Sequence, residues 1–465
     1  MNKKNDKKNN MISPTSLTKY QTNSKPILSS FTPKAYNPHP LLTNEHLQTI
    51  LGVFIRDDPG CAYINPNATN VFQEVFPIVK AIGKRLPTML GLNGNDNDDA
   101  TDKDNNDNNA NIGIDNCNYW DERECINTPD GDFFDVDYKY VNTNHHQSLD
   151  KEIKESEGMV IIVHGLESNS NSSVCINMAK SFISNNFDVV CMNYRGCSGR
   201  PNDTVYQYHG GFTTDLKQLI GILSERRNNN NDDSVKPPKP LYMSGFSLGS
   251  NIVMKCLGEL SLDAVTKHNI RGAAVTAAPF HLRPHHRRLI DEPVQRIVYA
   301  GSILKSMKKK ADYIIEKYCN GNTDTKKFNY WMVKNASTIA EVEDGMIAPL
   351  YGFKDKFDYF DRSASLNVVD DIAVPTLVLN AADDPFFSTT WFPWHKDSER
   401  GGKAPLKLVK TEEGGGHLGH LFHMFDDDDK EKYRHEYPVA SFALSELGRF
   451  ISHVHTEIKT DILKK

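Results

Sequence analysis

The pentapeptide Gly245-Phe246-Ser247-Leu248-Gly249 constrains the fold of this chain more than any other feature. It follows a short apolar run at 240–243, which is typical of a buried strand, and a helix-like segment begins at Ser250. A Gly-x-Ser-x-Gly sequence between a strand and a helix forms a turn so tight that a Cβ at either glycine would clash. We therefore predict that Ser247 has strained backbone angles and presents its hydroxyl at the carboxyl end of a strand.

Apolar runs of strand length recur along the chain and alternate with helix-like segments. They lie at 159–163, 188–193, 240–243, 272–277, 375–380 and 406–409. Strands separated by helices predict an α/β fold with a mostly parallel central sheet and helices on both faces. In sheets of this kind the residues that carry the chemistry lie at the carboxyl ends of the strands.

Composition divides the chain into one folded domain with polar tails and insertions. Residues 1–35 are predicted to be a disordered polar tail, 36–455 the domain and 456–465 a C-terminal tail. Polar stretches at 93–112, 228–238 and 426–429 are rich in Asn or Asp and are predicted to be solvated insertions.

Residues 280–370, between the fourth and fifth predicted strands, are predicted to form a helical lid over the site. A long segment at 289–318 has a helical pattern, and aromatic residues are dense further along. An aromatic-rich lid indicates an apolar substrate, and ordinary core packing explains the same residues equally well.

Charge and cysteine content exclude several classes of function. The net charge of −6 gives no case for binding nucleic acid. Eight cysteines are scattered without a C-x-x-C, so neither a zinc site nor a disulfide framework is expected, and a reducing compartment fits. Neither a secretory signal nor a run of about 18 apolar residues is visible. We therefore expect a cytoplasmic protein without a transmembrane segment, and peripheral contact with membranes or lipid droplets stays open.

The residues expected to activate Ser247 follow later predicted strands. A serine hydroxyl needs a base that accepts its proton and a third group that orients the base. In folds with this turn, the order along the chain is Ser, then Asp or Glu, then His. Asp384 follows the fifth predicted strand, and His417 follows three glycines after the sixth. This order predicts a catalytic triad of Ser247, Asp384 and His417.

Two ambiguities surround this assignment. Asp383 directly precedes Asp384, and only one of the two can point at the imidazole. Asp-Pro is the usual form of this loop, which favours Asp384. His420 and His423 lie close to His417, but the glycines before His417 allow it the freest backbone approach.

The same chemistry needs an oxyanion hole, in which two backbone N–H groups face the oxygen that becomes negative. Leu248 follows the nucleophile and is predicted to supply one of them. His164-Gly165-Leu166 follows the first predicted strand and is predicted to supply the other through the Leu166 amide. This chemistry requires no metal and no cofactor.

Together these motifs resemble the AB hydrolase 4 family, which includes animal abhydrolase domain-containing proteins, bacterial YheT-like hydrolases and yeast medium-chain acyl esterases. The matching segments are HPLL at 39–42, HLQT at 46–49, HGLE at 164–167, NYRGCSG at 193–199, GFSLG at 245–249, APLYGF at 348–353, NAADDP at 380–385 and GGHLG at 415–419. The resemblance covers about 36–455 without the polar insertions. Residues 341–344, Glu-Val-Glu-Asp, depart from a Glu-Phe-Asp-Asp-like segment of the family.

The resemblance implies an α/β-hydrolase fold and a serine carboxylic-ester hydrolase, esterase- or lipase-like, that acts on lipid-like acyl esters. It also implies that Ser247, Asp384 and His417 are the catalytic triad. Two alternatives stay open. The acyl group could pass to an alcohol, as in a fatty acid ester synthase, or the chain could be a non-enzymatic lipid-binding protein on a hydrolase fold.

Overall fold

The computed structural model describes residues 14–38, 43–44, 48–49, 119–142, 155–229, 239–291, 301–387, 389–421, 439 and 441–463. The predicted insertion at 93–112, residues 230–238 of the second insertion and the acidic run at 426–429 lie outside the described residues. In the described part of the chain, no helix combines the length with the apolar character that crossing a bilayer requires.

Eight strands and twelve α-helices account for most of the regular structure that is described. The strands are β1 (Glu122–Asn127), β2 (Phe133–Lys139), β3 (Met159–Val163), β4 (Asp188–Met192), β5 (Leu241–Phe246), β6 (Ile270–Thr276), β7 (Thr376–Ala381) and β8 (Leu406–Thr411). The helices are α1 (Pro14–Ser30), α2 (Ser173–Ser184), α3 (Thr214–Asn229), α4 (Leu248–Leu260), α5 (Asp263–Thr266), α6 (Leu282–Asp291), α7 (Gly301–Tyr318), α8 (Tyr330–Asn335), α9 (Ile339–Val342), α10 (Ala348–Tyr351), α11 (Lys356–Ser363) and α12 (Phe442–Leu463).

The strands form one sheet in the order β1-β2-β4-β3-β5-β6-β7-β8. Within this order, every pair of neighbouring strands in the series β4-β3-β5-β6-β7-β8 is parallel. Strand β2 pairs antiparallel with both β1 and β4. The six strands predicted from the apolar runs are therefore confirmed, together with their parallel arrangement. Because neighbouring parallel strands point the same way, the loops after β5, β7 and β8 lie along one edge of the sheet.

Helices cover both faces of the sheet, as the apolar runs predict. On β3, Ile161 and Val163 belong to one buried cluster, which includes residues of α3 and α4. Val160 and Ile162 belong to the opposite cluster, which includes residues of α2 and α12. A strand that is buried on both faces needs apolar side chains at consecutive positions, because alternate side chains point to opposite faces.

The antiparallel pair β1–β2 is absent from the sequence prediction. Asp135 and Asp137 interrupt the apolar pattern of β2, although both are buried. Arg200 and Arg123 pair with these two aspartates at 2.5 and 2.7 Å. The acidic residues can be buried because distant arginines compensate their charge, and these partners are not evident from the local sequence.

The predicted disordered tail at 1–35 is wrong for residues 14–30, which form α1. The Gln21 amide donates to the carbonyls of Asp370 and Ile372, each at 2.8 Å. Leu28 and Phe31 are buried in the cluster that contains α12. The helix is thus held by tertiary contacts, and its polar composition alone does not reveal them.

At the other end of the chain, α12 continues to Leu463, so the predicted domain end near 455 lies inside a helix. The segment between β6 and β7, in which the lid is predicted, contains α6 to α11 and is called the lid below. Most of its aromatic residues pack into a third cluster, formed largely within the lid, whereas Trp331 is 58% exposed.

Candidate active site

Ser247 lies in the sharp turn between β5 and α4. Its backbone angles are φ 54° and ψ −127°, a region that costs a non-glycine residue free energy. A Cβ on Gly249 would lie 2.1 Å from the Val163 carbonyl oxygen, and one on Gly245 would lie 2.9 Å from the Gly249 carbonyl carbon. The close approach of these backbones explains why glycine flanks the serine.

His417 connects Ser247 to Asp384. The Ser247 Oγ lies 3.1 Å from His417 Nε2, and His417 Nδ1 lies 2.8 Å from Asp384 Oδ2. A carboxylate only accepts hydrogen bonds, so Nδ1 carries the proton toward Asp384 and Nε2 is free to accept the serine proton. The structure thus brings the three predicted triad residues together from the loops after β5, β7 and β8.

The two adjacent aspartates have different partners. Asp384 is fully buried, and its Oδ1 accepts hydrogen bonds from the backbone N–H groups of Phe386 and Phe387 at 2.7 and 3.0 Å. Asp383 instead accepts from the N–H groups of the glycine-rich loop that precedes His417. Burial raises the pKa of Asp383, although these N–H groups act in the opposite direction. Asp384 thus contacts the His417 ring, whereas Asp383 contacts the loop that carries it.

Residues that are close in space, some of them distant in sequence, also contact the loop of His417. Its backbone N–H donates to Thr49 Oγ1 at 2.8 Å, and the Gln48 side chain accepts from the Leu421 N–H at 3.0 Å. His420 is buried and its Nε2 contacts Thr411 Oγ1 at 2.8 Å, while His423 lies outside the described residues. Sequence reasoning singled out the HLQT segment by resemblance but did not predict that it holds this loop.

Leu166 and Leu248, the predicted oxyanion-hole residues, both border the cavity that contains Ser247 and His417. Leu248 is the first residue of α4, where the backbone N–H has no partner within the helix. Leu166 lies in a four-residue turn that the Ser168 N–H closes by donating to the Gly165 carbonyl at 3.3 Å.

The cavity has a volume of about 260 Å³ and mostly apolar walls. Residues from the lid cover it, and aromatic residues from the loop after β7 flank His417. The lining residues used below are Leu282, Ile303, Ile339, Phe360, Phe386 and Phe387. The ring centroids of Phe386 and Phe387 lie 4.3 and 5.1 Å from that of His417. The polar side chains of Ser247 and His417 therefore border a space with mostly apolar walls.

One titratable residue in the cavity wall was not predicted. Glu343 lies on a turn of π-helix, Glu343–Ile347, and borders the cavity. Burial raises its pKa to about 8, although the Tyr359 hydroxyl and the charge of Lys356 lower it. The signal in the sequence is the departure of residues 341–344 from the family pattern. Within this segment, Glu341 forms a capping box with Thr338 at the start of α9.

A metal site is not formed by the described residues, among which no three His, Cys, Asp or Glu side chains are grouped to hold an ion.

Comparisons with known proteins identify the family of this chain. The family model Hydrolase_4, described as serine aminopeptidase, S33, matches residues 154–392. This range contains Ser247 and Asp384 and ends before His417. The match and the sheet topology confirm the predicted fold class.

Several curated proteins are similar to this chain. YheT of Escherichia coli, an esterase by its name, is 27% identical over 303 residues, which cover 65% of this chain and 78% of that protein. A monoacylglycerol lipase of Saccharomyces cerevisiae is 25% identical over 323 residues, covering 67% and 62%. The yeast medium-chain fatty acid ethyl ester synthase/esterase 2 is 25% identical over 279 residues, covering 57% and 58%. The chain thus spans less than two thirds of the length of the two yeast relatives.

Proposed function

Because the chain belongs to the Hydrolase_4 family (serine aminopeptidase, S33) of the α/β-hydrolase superfamily, we propose that it is a serine carboxylic-ester hydrolase that cleaves acyl esters of lipid-like substrates. The observation that carries the proposal is the hydrogen-bonded series Ser247, His417 and Asp384, of which Ser247 and His417 border a mostly apolar cavity. The relatives named as an esterase and a monoacylglycerol lipase support the same reaction class.

The proposed reaction has two steps. Ser247 Oγ attacks the ester carbonyl while His417 Nε2 takes its proton, and Asp384 stabilises the imidazolium that forms. The negative oxygen accepts hydrogen bonds from the Leu166 and Leu248 amides. The alcohol leaves with the proton from His417, and an acyl group stays on Ser247. Water, deprotonated by His417, then releases the acid and restores the serine hydroxyl.

The walls of the cavity support an apolar acyl group as the part of the substrate that enters it. Leu282, Ile303, Ile339 and Phe360 offer hydrocarbon surface, and burying an acyl chain there gains about 0.8 kcal/mol for each CH₂ group. A cytoplasmic location, with contact to membrane or lipid-droplet surfaces where such esters collect, belongs to the same proposal. Fractionation of cells that express the tagged protein checks it.

Acyl transfer to an alcohol is the second candidate, and a relative named as an ethyl ester synthase/esterase favours it. Water and alcohol compete for the same acyl-enzyme, so both products follow from one mechanism. The ratio of acid to ethyl ester formed in the presence of ethanol separates the two functions.

Labelling with a fluorophosphonate probe tests the nucleophile. We expect purified wild-type protein to be labelled, Ser247→Ala to remain unlabelled, and Ser168→Ala, a second serine that borders the cavity, to be labelled like wild type. p-Nitrophenyl esters of increasing acyl length then measure hydrolysis and the size of the acyl site. Folded wild-type protein that neither reacts with the probe nor cleaves any ester would favour the lipid-binding alternative, and full esterase activity in Ser247→Ala would contradict the proposed nucleophile.

A further inference from the structure

The turn that carries the Leu166 amide has an unusual residue at its third position. Glu167 has a φ of 53°, in the left-handed region where tight turns usually place glycine. Such a conformation persists where surrounding contacts determine it. The contacts of Glu167 therefore affect the direction of the Leu166 N–H. Only the Leu166 Cα and one peptide bond separate this N–H from Glu167.

The Glu167 side chain is nearly buried and anchored on both oxygens. Its Oε1 accepts hydrogen bonds from Lys310 Nζ at 2.7 Å and from the Tyr208 hydroxyl at 2.9 Å, and its Oε2 accepts from the Ser306 hydroxyl. The Tyr208 oxygen in turn accepts from the Glu167 backbone N–H at 2.7 Å. Backbone and side chain of this one residue are thus held together.

Two of these partners come from the lid. Ser306 and Lys310 lie one turn apart on α7 and reach Glu167 from the same side. Lys310 Nζ also contacts Cys197 Sγ at 3.4 Å and lies 5.3 Å from the centroid of the Tyr208 ring. Burial lowers the pKa of Lys310, but Cys197 and Glu167 outweigh it and the net shift is upward, so the amine stays charged.

We propose that Lys310 and Ser306 are positioning residues, which hold Glu167 in its left-handed conformation and so aim the Leu166 N–H at the substrate oxyanion. The inference rests on the proposed function, since it assigns a role within the same acyl-transfer reaction. It also makes the lid part of the oxyanion hole, because α7 supplies two of the three side chains that anchor the turn. Neither residue borders the reacting atoms, and both act through Glu167.

Steady-state kinetics of Lys310→Met test this role, because methionine keeps an unbranched side chain and removes the charge. Loss of one oxyanion donor costs about 10²–10³ in kcat, and a misdirected donor costs less. We expect kcat to fall about 10- to 100-fold with KM nearly unchanged. Here kcat is calculated per active serine, and the active serines are counted by fluorophosphonate labelling carried to completion. Lys309→Met, at an exposed neighbouring position of α7, is the matched control and should keep the wild-type kcat.

A trifluoromethyl ketone with the acyl chain of the substrate provides a second readout, because its adduct with Ser247 carries an oxyanion. Its affinity should fall by the same factor as kcat/KM, as expected for a group that acts on the transition state. Ser306→Ala and Glu167→Gln should give smaller losses of the same kind, and Lys310→Arg should restore part of the kcat. If Lys310→Met is not folded by circular dichroism, these milder variants carry the test.

The double variant Glu167→Gln/Lys310→Met shows whether the lysine acts through the glutamate. We expect it to lose no more kcat than the worse of the two single variants, because both remove one contact. Unchanged kcat per labelled serine in Lys310→Met and Ser306→Ala, or losses that multiply in the double variant, would overturn the positioning role while Ser247→Ala still abolishes labelling. Full activity in Ser247→Ala would overturn the proposed function, and the positioning role with it.

Discussion

Ser247 and Glu167, at the candidate active site, are among the residues that have positive φ angles although they are not glycine. Conformations of this kind cost on the order of 1–3 kcal/mol each and occur mainly where surrounding structure determines them. In Ser247 the neighbouring strand and helix impose the angle, and the Ser247 N–H donates to the Thr276 carbonyl at 3.1 Å. In Glu167 the side chain and the backbone N–H form hydrogen bonds with other residues, and these contacts stabilise the angle. At both positions the strained backbone is held in one conformation, which fixes the direction of a group that the proposed reaction uses: the Ser247 hydroxyl or the Leu166 N–H.

The different partners of Asp383 and Asp384 lead to a prediction for paired amide substitutions. Asp384→Asn should lower kcat by on the order of 10⁴, the loss known when this acid of a serine triad becomes an amide, because the imidazole then adopts the wrong tautomer. In Asp383→Asn the amide oxygen can still accept from Gly415 and Gly416, so kcat should stay within about threefold of wild type. Hydrolysis of a p-nitrophenyl ester measures both. A larger loss in Asp383→Asn than in Asp384→Asn would reverse the assignment.

Glu343 leads to a prediction about stability and pH. Its pKa is raised from 4.5 to about 8 in the folded protein, first of all by burial. Between these values the folded state holds a proton that the unfolded state has released, so the contribution of Glu343 to stability is fully present below pH 4.5 and falls as the pH rises toward 8. The loss from this group is up to about 1.4 kcal/mol for each pH unit.

Urea unfolding at several pH values checks this sign. Glu343→Gln should show a flatter decline of the free energy of unfolding between pH 5 and 8 than wild type. Glu413→Gln, at an exposed position, should keep the wild-type decline. Parallel curves for wild type and Glu343→Gln would show that the buried acid does not retain its proton.

At the scale of secondary structure, the site depends on where three parallel strands end. Ser247, Asp384 and His417 follow β5, β7 and β8, which lie within four adjacent positions of the sheet. Residues that are 170 and 33 positions apart along the chain therefore meet within hydrogen-bond distance. The turn from β5 to α4 is short, because only Ser247 separates the strand from the helix.

Replacement of Gly249 tests how tight this turn is. The Cβ of Gly249→Ala would lie 2.1 Å from the Val163 oxygen and 2.5 Å from that of His164, both in backbone that cannot move aside cheaply. We expect a loss of stability of about 3 kcal/mol or more, similar to severe overpacking, together with loss of fluorophosphonate labelling. Gly221→Ala in α3, where the Cβ meets no atom within 4 Å, is the matched control and should stabilise the protein by up to about 1 kcal/mol. Thermal unfolding of both variants measures these changes in stability.

At the scale of the whole molecule, segments from the N-terminal part of the chain complete structures formed by the C-terminal part. Leu28 of α1 packs with Phe450 of α12 in one buried cluster, and the Lys407 amine on β8 donates to the Leu28 carbonyl. Thr49 supports the loop of His417. The fold therefore depends on contacts between residues that are hundreds of positions apart in the sequence.

A substitution in α1 distinguishes a docked helix from the disordered tail that composition predicts. Leu28 is fully buried, so Leu28→Ala should lower the free energy of unfolding by about 2–5 kcal/mol. The exposed Ser29→Ala, one residue further on, should change it by less than about 0.5 kcal/mol. Urea denaturation measures both, and equal, negligible effects would mean that the segment does not contribute to the core.

The central strands and the order of the reactive residues could be predicted because their signals are local. A strand buried on both faces requires consecutive apolar residues, and a strand–serine–helix turn requires its two glycines. The pair β1–β2 and helix α1 could not be predicted in this way, because Asp135, Asp137 and Gln21 are compatible with burial only once distant partners are in place.

By itself, therefore, the sequence determines a parallel α/β sheet with a serine at a strand end and a candidate acid and base after later strands. Tertiary structure decides that Asp384 rather than Asp383 contacts His417, that Glu343 borders the cavity, and that a lid lysine contacts Glu167 in the turn of Leu166. The physical reason is the range of the interactions. Backbone strain and apolar periodicity act between neighbours in sequence, whereas hydrogen bonds and burial of charge depend on which distant segments the fold brings within about 3 Å.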